Sequence, residues 1–242
     1  MELENATVLR ARVIVPLSGS AAAQENAALA AVQFQGARIE PGESLSFNQT
    51  VGMRTEESGY TAAEEPAYGQ NIVGVGGGIC QVSTALYRLA LLGGLEIAER
   101  SAAVYPVDYC EIGQEAAVSD QGLDLVLANN TDAPLFLVVR VYAENDGQTM
   151  EWQLIGKENE SRFSLVSEVE TIDAPEEPVY VRDSEGRYAT YADERIPVSE
   201  ARPGYRATVS LVDENGETVR VVSEDTYDAM AQIVYVGVQQ RN

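Results

Sequence analysis

The chain has 242 residues, 45% of them hydrophobic, and its 38 acidic against 16 basic side chains give a formal net charge of -22. That length and apolar content suit two folded domains and exclude a disordered chain, while the charge would repel a phosphate backbone and excludes nucleic acid as an expected partner. Histidine is absent and only Cys80 and Cys110 carry thiols, so the commonest general base is missing, no disulfide framework is present, and neither a metal nor a cofactor is expected.

No apolar run reaches the ~18 residues of a membrane span; Leu89 to Leu92 and Leu135 to Val139 are of core length. Met1 leads straight into the polar stretch ELENATVLRAR. With no signal-peptide pattern, the sequence reads as cytosolic or as a trimmed ectodomain.

In chain order, TVLRARVIVP (7–16) predicts a strand and the alanine-rich stretch Ala21 to Ile39 a helix, with Gly36 as its stop. Pro41-Gly42 predicts a turn, followed by a short segment with Leu45 and Phe47 on one face. Residues 52–73, broken by Gly52, Gly59, Pro66 and Gly69, read as a long irregular loop. A helix follows over Gln81 to Leu92, with Val82, Ala85, Leu86 and Leu89 as its buried stripe and Gly93-Gly94 as its end. LDLVLAN and PLFLVVRVYAE flank NTDAP as a predicted hairpin, and TMEWQLIG adds a strand. Beyond Lys157 the alternating segments FSLVSEVE, EPVYVRD, YRATVSLVD, ETVRVVSE and QIVYVGV, with turns at DSEG and DENGE, predict a module built of strands. The expected class is α+β: a mixed helix and sheet domain over 1–157, then a small, mostly β module over 158–242.

The stretch VGVGGGICQVSTALYRLALLGG, from Val73 to Gly94, places a thiol between three glycines and a helix start. Unpaired N–H groups and the helix dipole favour thiolate there, and the N–H groups of Gly76, Gly77 and Gly78 are candidate oxyanion donors. A nucleophile and a small packed residue both remain open for Cys80. The glycines lack the lysine and spacing of a phosphate loop. Gln81 is a candidate oxyanion donor or a cap, and Ser83 and Thr84 are candidate caps in the first turn. Arg54 reads as a carboxylate clamp or as an ordinary ion pair. Tyr105 and Tyr109 line a groove or pack beside Pro106. A Cys80–Cys110 bridge is possible. DSEG and DENGE lack the spacing of a calcium loop.

The strings PGESLSFNQTVGMRTEESGY, GVGGGICQVSTALYRLALLGGLEIAER, YPVDY and GLDLVLANNTDAPLFL resemble the VanW family, bacterial surface proteins first noted beside vancomycin-resistance genes. The resemblance covers about Asn26 to Val141. Residues 161–240, with SEDTYDAMAQIVYVGV, resemble the five-glycine cell-wall module more loosely. The resemblance implies an extracellular place at the cell surface and a peptidoglycan stem peptide or cell-wall polymer as partner. In some members it implies an L,D-transpeptidase, with Cys80 as the nucleophile of an acyl-enzyme, Gln81 beside it, and Gly76–Gly78, Arg54, Ser83, Tyr105 and Asp108 around the substrate. The family pattern carries two histidines where this chain has Ser101 and Ala103, and an arginine where it has Gln114. Asp108 and Tyr105 are weak substitutes as bases for a thiol. Three readings therefore stand: cysteine acyl transfer, a cell-wall binding module that has lost its base, or a plain structural surface domain with Cys80 buried and inert.

Overall fold

A computed structural model describes residues 8–67, 70–144, 147–158 and 162–241. The polar leader and the expected strand start at Thr7 lie outside the described residues. Up to residue 157 the elements run β1 (Val8–Pro16), α1 (Ala21–Val32), β2 (Arg38–Ile39), β3 (Ser44–Ser46), α2 (Phe47–Val51), a 3-10 turn (Glu56–Ser58), β4 (Ala62–Ala67), β5 (Gln70–Val75), α3 (Cys80–Gly93), β6 (Glu96–Glu99), β7 (Val126–Ala128), β8 (Leu135–Glu144) and β9 (Gly147–Gly156).

The strand period of two builds the main sheet, ordered β1-β9-β8-β2. Ala11, Val13 and Val15 point inward from β1, Leu135, Leu137 and Val139 from β8, and Trp152 and Leu154 from β9. Helices α1 and α3 cover that face with Ala27, Ala30 and Ala31 and with Val82, Ala85, Leu86 and Leu89. Burial of one leucine or valine on this face stabilises the fold by ~1.5–3 kcal/mol. Alanines on α1 let it lie close to its neighbours, and Phe34 just past its end fills the remaining space, with ring centroids 5.5 Å from Trp152 and 5.3 Å from Phe47. Arg10 caps the far end of α3: its Nε and Nη2 donate to Gly93 O at 3.2 and 2.9 Å, where a cation also meets the negative end of the dipole.

Beyond residue 157 the elements are β10 (Ser164–Ile172), β11 (Val179–Asp183), β12 (Arg195–Ser199), β13 (Gly204–Val212), β14 (Thr218–Tyr227) and β15 (Ile233–Gly237). They form two three-stranded sheets, β10-β13-β14 and β11-β15-β12, in which β11 and β15 run parallel. The DENGE turn is an Asp213 turn, its Oδ1 accepting from the N–H groups of Asn215 and Glu217, each at 2.9 Å. Leu211 belongs to the same buried cluster as the main sheet, and Phe163, Leu165 and Val222 pack against that cluster. No helix among the described residues is long and apolar enough to cross a membrane.

The α+β expectation is overturned. The protein is mostly β, with 43% of residues in strands and 15% in helices, and the strands are spread over several small sheets. The helix expected over Ala21 to Ile39 ends at Val32, because Gly36 takes φ +77° and residues 38–39 leave as β2. The irregular loop expected over 52–73 contains the antiparallel ribbon β4–β5. Its composition hid it: AAEEPA does not alternate, and a proline in a two-stranded ribbon sits on an edge that needs no donor. The hairpin expected around NTDAP does not form. β7 pairs with β3 and β6, whereas β8 pairs with β9 and β2. Asn129 steers the chain between the two sheets, its Nδ2 donating to Ile39 O at 2.8 Å and to Ala133 O at 2.9 Å.

Candidate functional site

The glycine loop serves the packing of two helices. Gly76 N–H donates to Thr61 O at 3.0 Å and Gly77 N–H to Gly74 O at 3.4 Å. Gly77 O accepts from Nδ2 of the buried Asn26 on α1, at 3.0 Å. Gly78 has φ +100°, and a β-carbon there would overlap the Ala23 carbonyl of α1. The close approach that glycine permits is thus to a neighbouring helix. Among the three, only the Gly78 N–H has no hydrogen-bond acceptor among the described residues. Helix α3 then starts at Cys80, without a side-chain cap from Ile79.

Cys80 is half-buried, and its Sγ donates to Val118 O at 3.6 Å. Residues 115–118 form the wall along the first turn of α3. Ser83 Oγ lies 2.6 Å from Ala116 O and 3.1 Å from Cys80 O, and Thr84 Oγ1 accepts from Ala116 N–H at 3.1 Å. Tyr109 stands near Thr84 and Cys80. Burial, then the charge Cys80 would carry as thiolate, holds that phenol well above its ordinary value, so it stays protonated. Cys110 is a second thiol, not bridged to Cys80. Burial and then Glu115 push it up to about 12.

Only some of the expected site residues meet here. Gln81 does not offer its amide: Oε1 accepts from Ser18 N–H at 2.8 Å, and Nε2 donates to Ser18 O at 3.2 Å. Arg54 stands against Gly76 and is committed to Asp120, Nη1 to Oδ1 at 2.7 Å, with a further bond to Asn48 Oδ1 at 2.9 Å. Asp108 is exposed, and Tyr105 lines a separate pocket. At the positions of the family's histidines, Ser101 pairs with Ala117 through its backbone, and the Ala103 N–H donates to Glu115 Oε1 at 3.3 Å. Gln114 Nε2 reaches Ser167 Oγ in β10 at 3.0 Å.

Sequence reasoning missed the charged network behind this wall. Arg100 Nε and Nη2 donate to Glu115 O at 2.8 and 2.6 Å, and its Nη1 reaches both oxygens of Asp225 in β14 at 2.7 and 2.6 Å. The fully buried Glu115 carboxylate accepts from Gly113 N–H at 3.1 Å and from the Tyr227 hydroxyl. The Arg100 guanidinium also lies 5.3 Å from the Tyr87 ring centroid. Asp225 and Tyr227 lie more than a hundred residues along the chain from Arg100 and Glu115, so no local pattern announces them.

Burial in this region fixes an alkaline limit. Cys110 ionises near 9.0 when unperturbed but only near about 12 in the fold. Above pH 9 the unfolded chain therefore binds fewer protons than the native one, and stability falls as pH rises. Tyr109 and Tyr227, also raised by burial, act in the same direction from about pH 10. Urea midpoints should drop steadily from pH 9 upward, and Cys110→Ala should delay the onset toward pH 10. An unchanged onset in that variant would remove the thiol from this account.

A family model described as "VanW like protein" matches residues 22–153, more than half of the chain. The chain belongs to the VanW family. The matched span holds the whole Cys80 wall, whereas Asp225 and Tyr227 lie outside it. This VanW chain is 36% identical over 125 residues to "Uncharacterized protein YoaR" of Bacillus subtilis (strain 168), covering 52% of the chain and 41% of that protein. It is 28% identical over 180 residues to "Vancomycin B-type resistance protein VanW" of Enterococcus faecalis (strain ATCC 700802 / V583), covering 72% of the chain and 61% of that protein. The chain thus spans about half the length of these curated relatives. Among solved structures, "Crystal structure of HP0197-G5" matches 32% of this chain over its full length, at 14% identity and a TM-score of 0.13, too low for a shared fold to be read from it.

Proposed function

We propose that this VanW protein works at the outer face of the cell envelope and holds peptidoglycan stem peptide at the start of α3 without forming an acyl-enzyme. In this reading residues 1–157 carry the site and residues 158–242 form a β module that braces it. The observation that carries the proposal is the setting of the thiol: Cys80 Sγ lies against the Val118 carbonyl at 3.6 Å, in a chain that holds no histidine to take its proton. A backbone carbonyl takes no proton, and histidine is the commonest general base for a thiol. The resistance-protein name of the Enterococcus relative supports the envelope setting.

One observation favours the acyl-transfer reading. The unaccepted Gly78 N–H lies just before a helix start, where donors stabilise a developing oxyanion. In that reaction the Cys80 thiolate attacks the stem carbonyl, the terminal amino acid leaves as an amine, and a second amine takes the acyl group and regenerates the thiol. Intact-mass measurement after incubation with tetrapeptide stems, beside a binding titration of the same peptides, separates the two. Saturable binding with no mass added is the expected result. A thioester adduct lost in Cys80→Ser would replace this reading with the enzyme, and the absence of any binding would end both.

A further inference from the structure

A pocket of about 230 Å3 opens where the segment after Arg100 meets the C-terminal strands, lined by Tyr105, Pro106, Arg202, Pro203, Tyr205, Asp228 and Met230. Its floor is fixed by the backbone: Arg202 and Met230 exchange reciprocal N–H to O bonds at 2.8 and 2.9 Å, and Tyr205 pairs with Tyr227, the residue that anchors Glu115. Gly204 lies so close to the Tyr227 carbonyl that a β-carbon there would overlap it, which locks the two segments together.

The floor carries one charge of each sign. Arg206, Arg187 and Arg241, on the same C-terminal strands and turns, each pair with a carboxylate. Arg202 and Asp228 line one pocket with opposite charge, yet neither makes an ion pair or a side-chain hydrogen bond with the other or with any other described residue. A guanidinium presents a planar fork suited to a carboxylate, and a carboxylate presents acceptors suited to an ammonium group. Two tyrosines and two prolines share the lining, walls that suit a short aliphatic body. A water molecule occupies ~30 Å3 of liquid, so the space holds about seven or eight waters, or a ligand of similar size.

We propose that this pocket binds an amino-acid-sized zwitterion, its carboxylate on Arg202 and its ammonium on Asp228. The site is separate from the thiol, draws on both parts of the chain, and stands whether or not Cys80 reacts. A free amino acid and a free dipeptide share this chemistry, and the probes tell them apart.

The test uses the full chain with 13C-methyl methionine. The chain holds 4 methionines. Met230 lines the pocket, and the fully buried Met150 reports on the fold. Lysine and alanylalanine are titrated in turn, each beside its N-acetylated, C-amidated form. The expected result is a saturable shift of the Met230 methyl with at least one zwitterion, weakened at least tenfold in its blocked form. A shift with lysine assigns a free amino acid, and a shift with alanylalanine alone assigns the dipeptide. Arg202→Gln and Asp228→Asn, both at exposed positions, should each weaken binding by about tenfold to a hundredfold, as losing a charged hydrogen bond does, while Met150 stays unmoved. No saturable shift with either zwitterion, or equal binding of the blocked forms, overturns the proposal. So does unchanged binding in both variants.

Discussion

Arg100→Ala should destabilise the folded protein by about 3–5 kcal/mol, the range seen when one partner of a buried ion pair is removed. Arg100 has 9% of its side chain exposed, Asp225 has 13% and Glu115 none. Without the guanidinium, the Glu115 carbonyl loses two donors and both carboxylates lose their cation. Tyr227 still donates to Glu115, which leaves a buried carboxylate with a neutral partner only. The loss should appear in urea unfolding as a lower midpoint. It should also open the Cys80 wall, because Ala117 N–H is bonded to the Ser101 carbonyl next to Arg100. Hydrogen exchange at Ala116 and Ala117 should rise in the variant beyond what the global stability loss explains. Arg100→Lys should recover little, since one ammonium cannot meet the Glu115 carbonyl and both Asp225 oxygens at once. A midpoint within about 0.5 kcal/mol of wild type would show that the network is not the brace described above.

Gly78→Ala is the second large effect, expected at about 2–4 kcal/mol. Holding a side chain in the left-handed region costs ~1–3 kcal/mol, and the new methyl meets the Ala23 carbonyl, which is backbone in a helix and cannot rotate away. Relief would come from moving the start of α3 away from α1, and Cys80 would move with it. The readable consequence is therefore double: a lower unfolding midpoint, and an altered rate of iodoacetamide labelling at Cys80 under native conditions. Gly42→Ala makes the control. It also takes positive φ but has open space around its Cα, so it should show the conformational cost alone and leave the labelling rate unchanged.

Much of the β structure is legible in the sequence because it is written locally. β1, β10, β11, β13, β14 and β15 fall where alternating residues and acidic turns place them, and α3 falls where a stripe of Val82, Ala85, Leu86 and Leu89 places it. What was misread has a common cause. β4–β5 lacks alternation, and β2, β3 and β7 are two or three residues long, too short to show a period. The helical signal of the alanine-rich stretch ran past Val32 because alanine favours helix without specifying its end. In the site, Cys80 and the glycines stand out by residue type, but their partners do not. Gln81 looks like a donor beside a nucleophile, and only the fold reveals Ser18 against it. Tyr109 reads as one aromatic among several until the fold sets it near Thr84 and Cys80. Glu115 and Arg100 look like two surface charges in an acidic chain until Asp225 and Tyr227 arrive from β14.

The strand order in the C-terminal half has a consequence for how the protein is made. β15, the last of the described strands, lies between β11 and β12, and β14 supplies the two side chains that hold Arg100 and Glu115. A ribosome therefore releases the wall of the thiol site long before the residues that steady it. During synthesis, β11 and β12 should wait as open edges until β15 emerges. Removing residues 233–242 would then take out the middle of a sheet, and such a chain should fail late in biogenesis, as a product cleared by proteases.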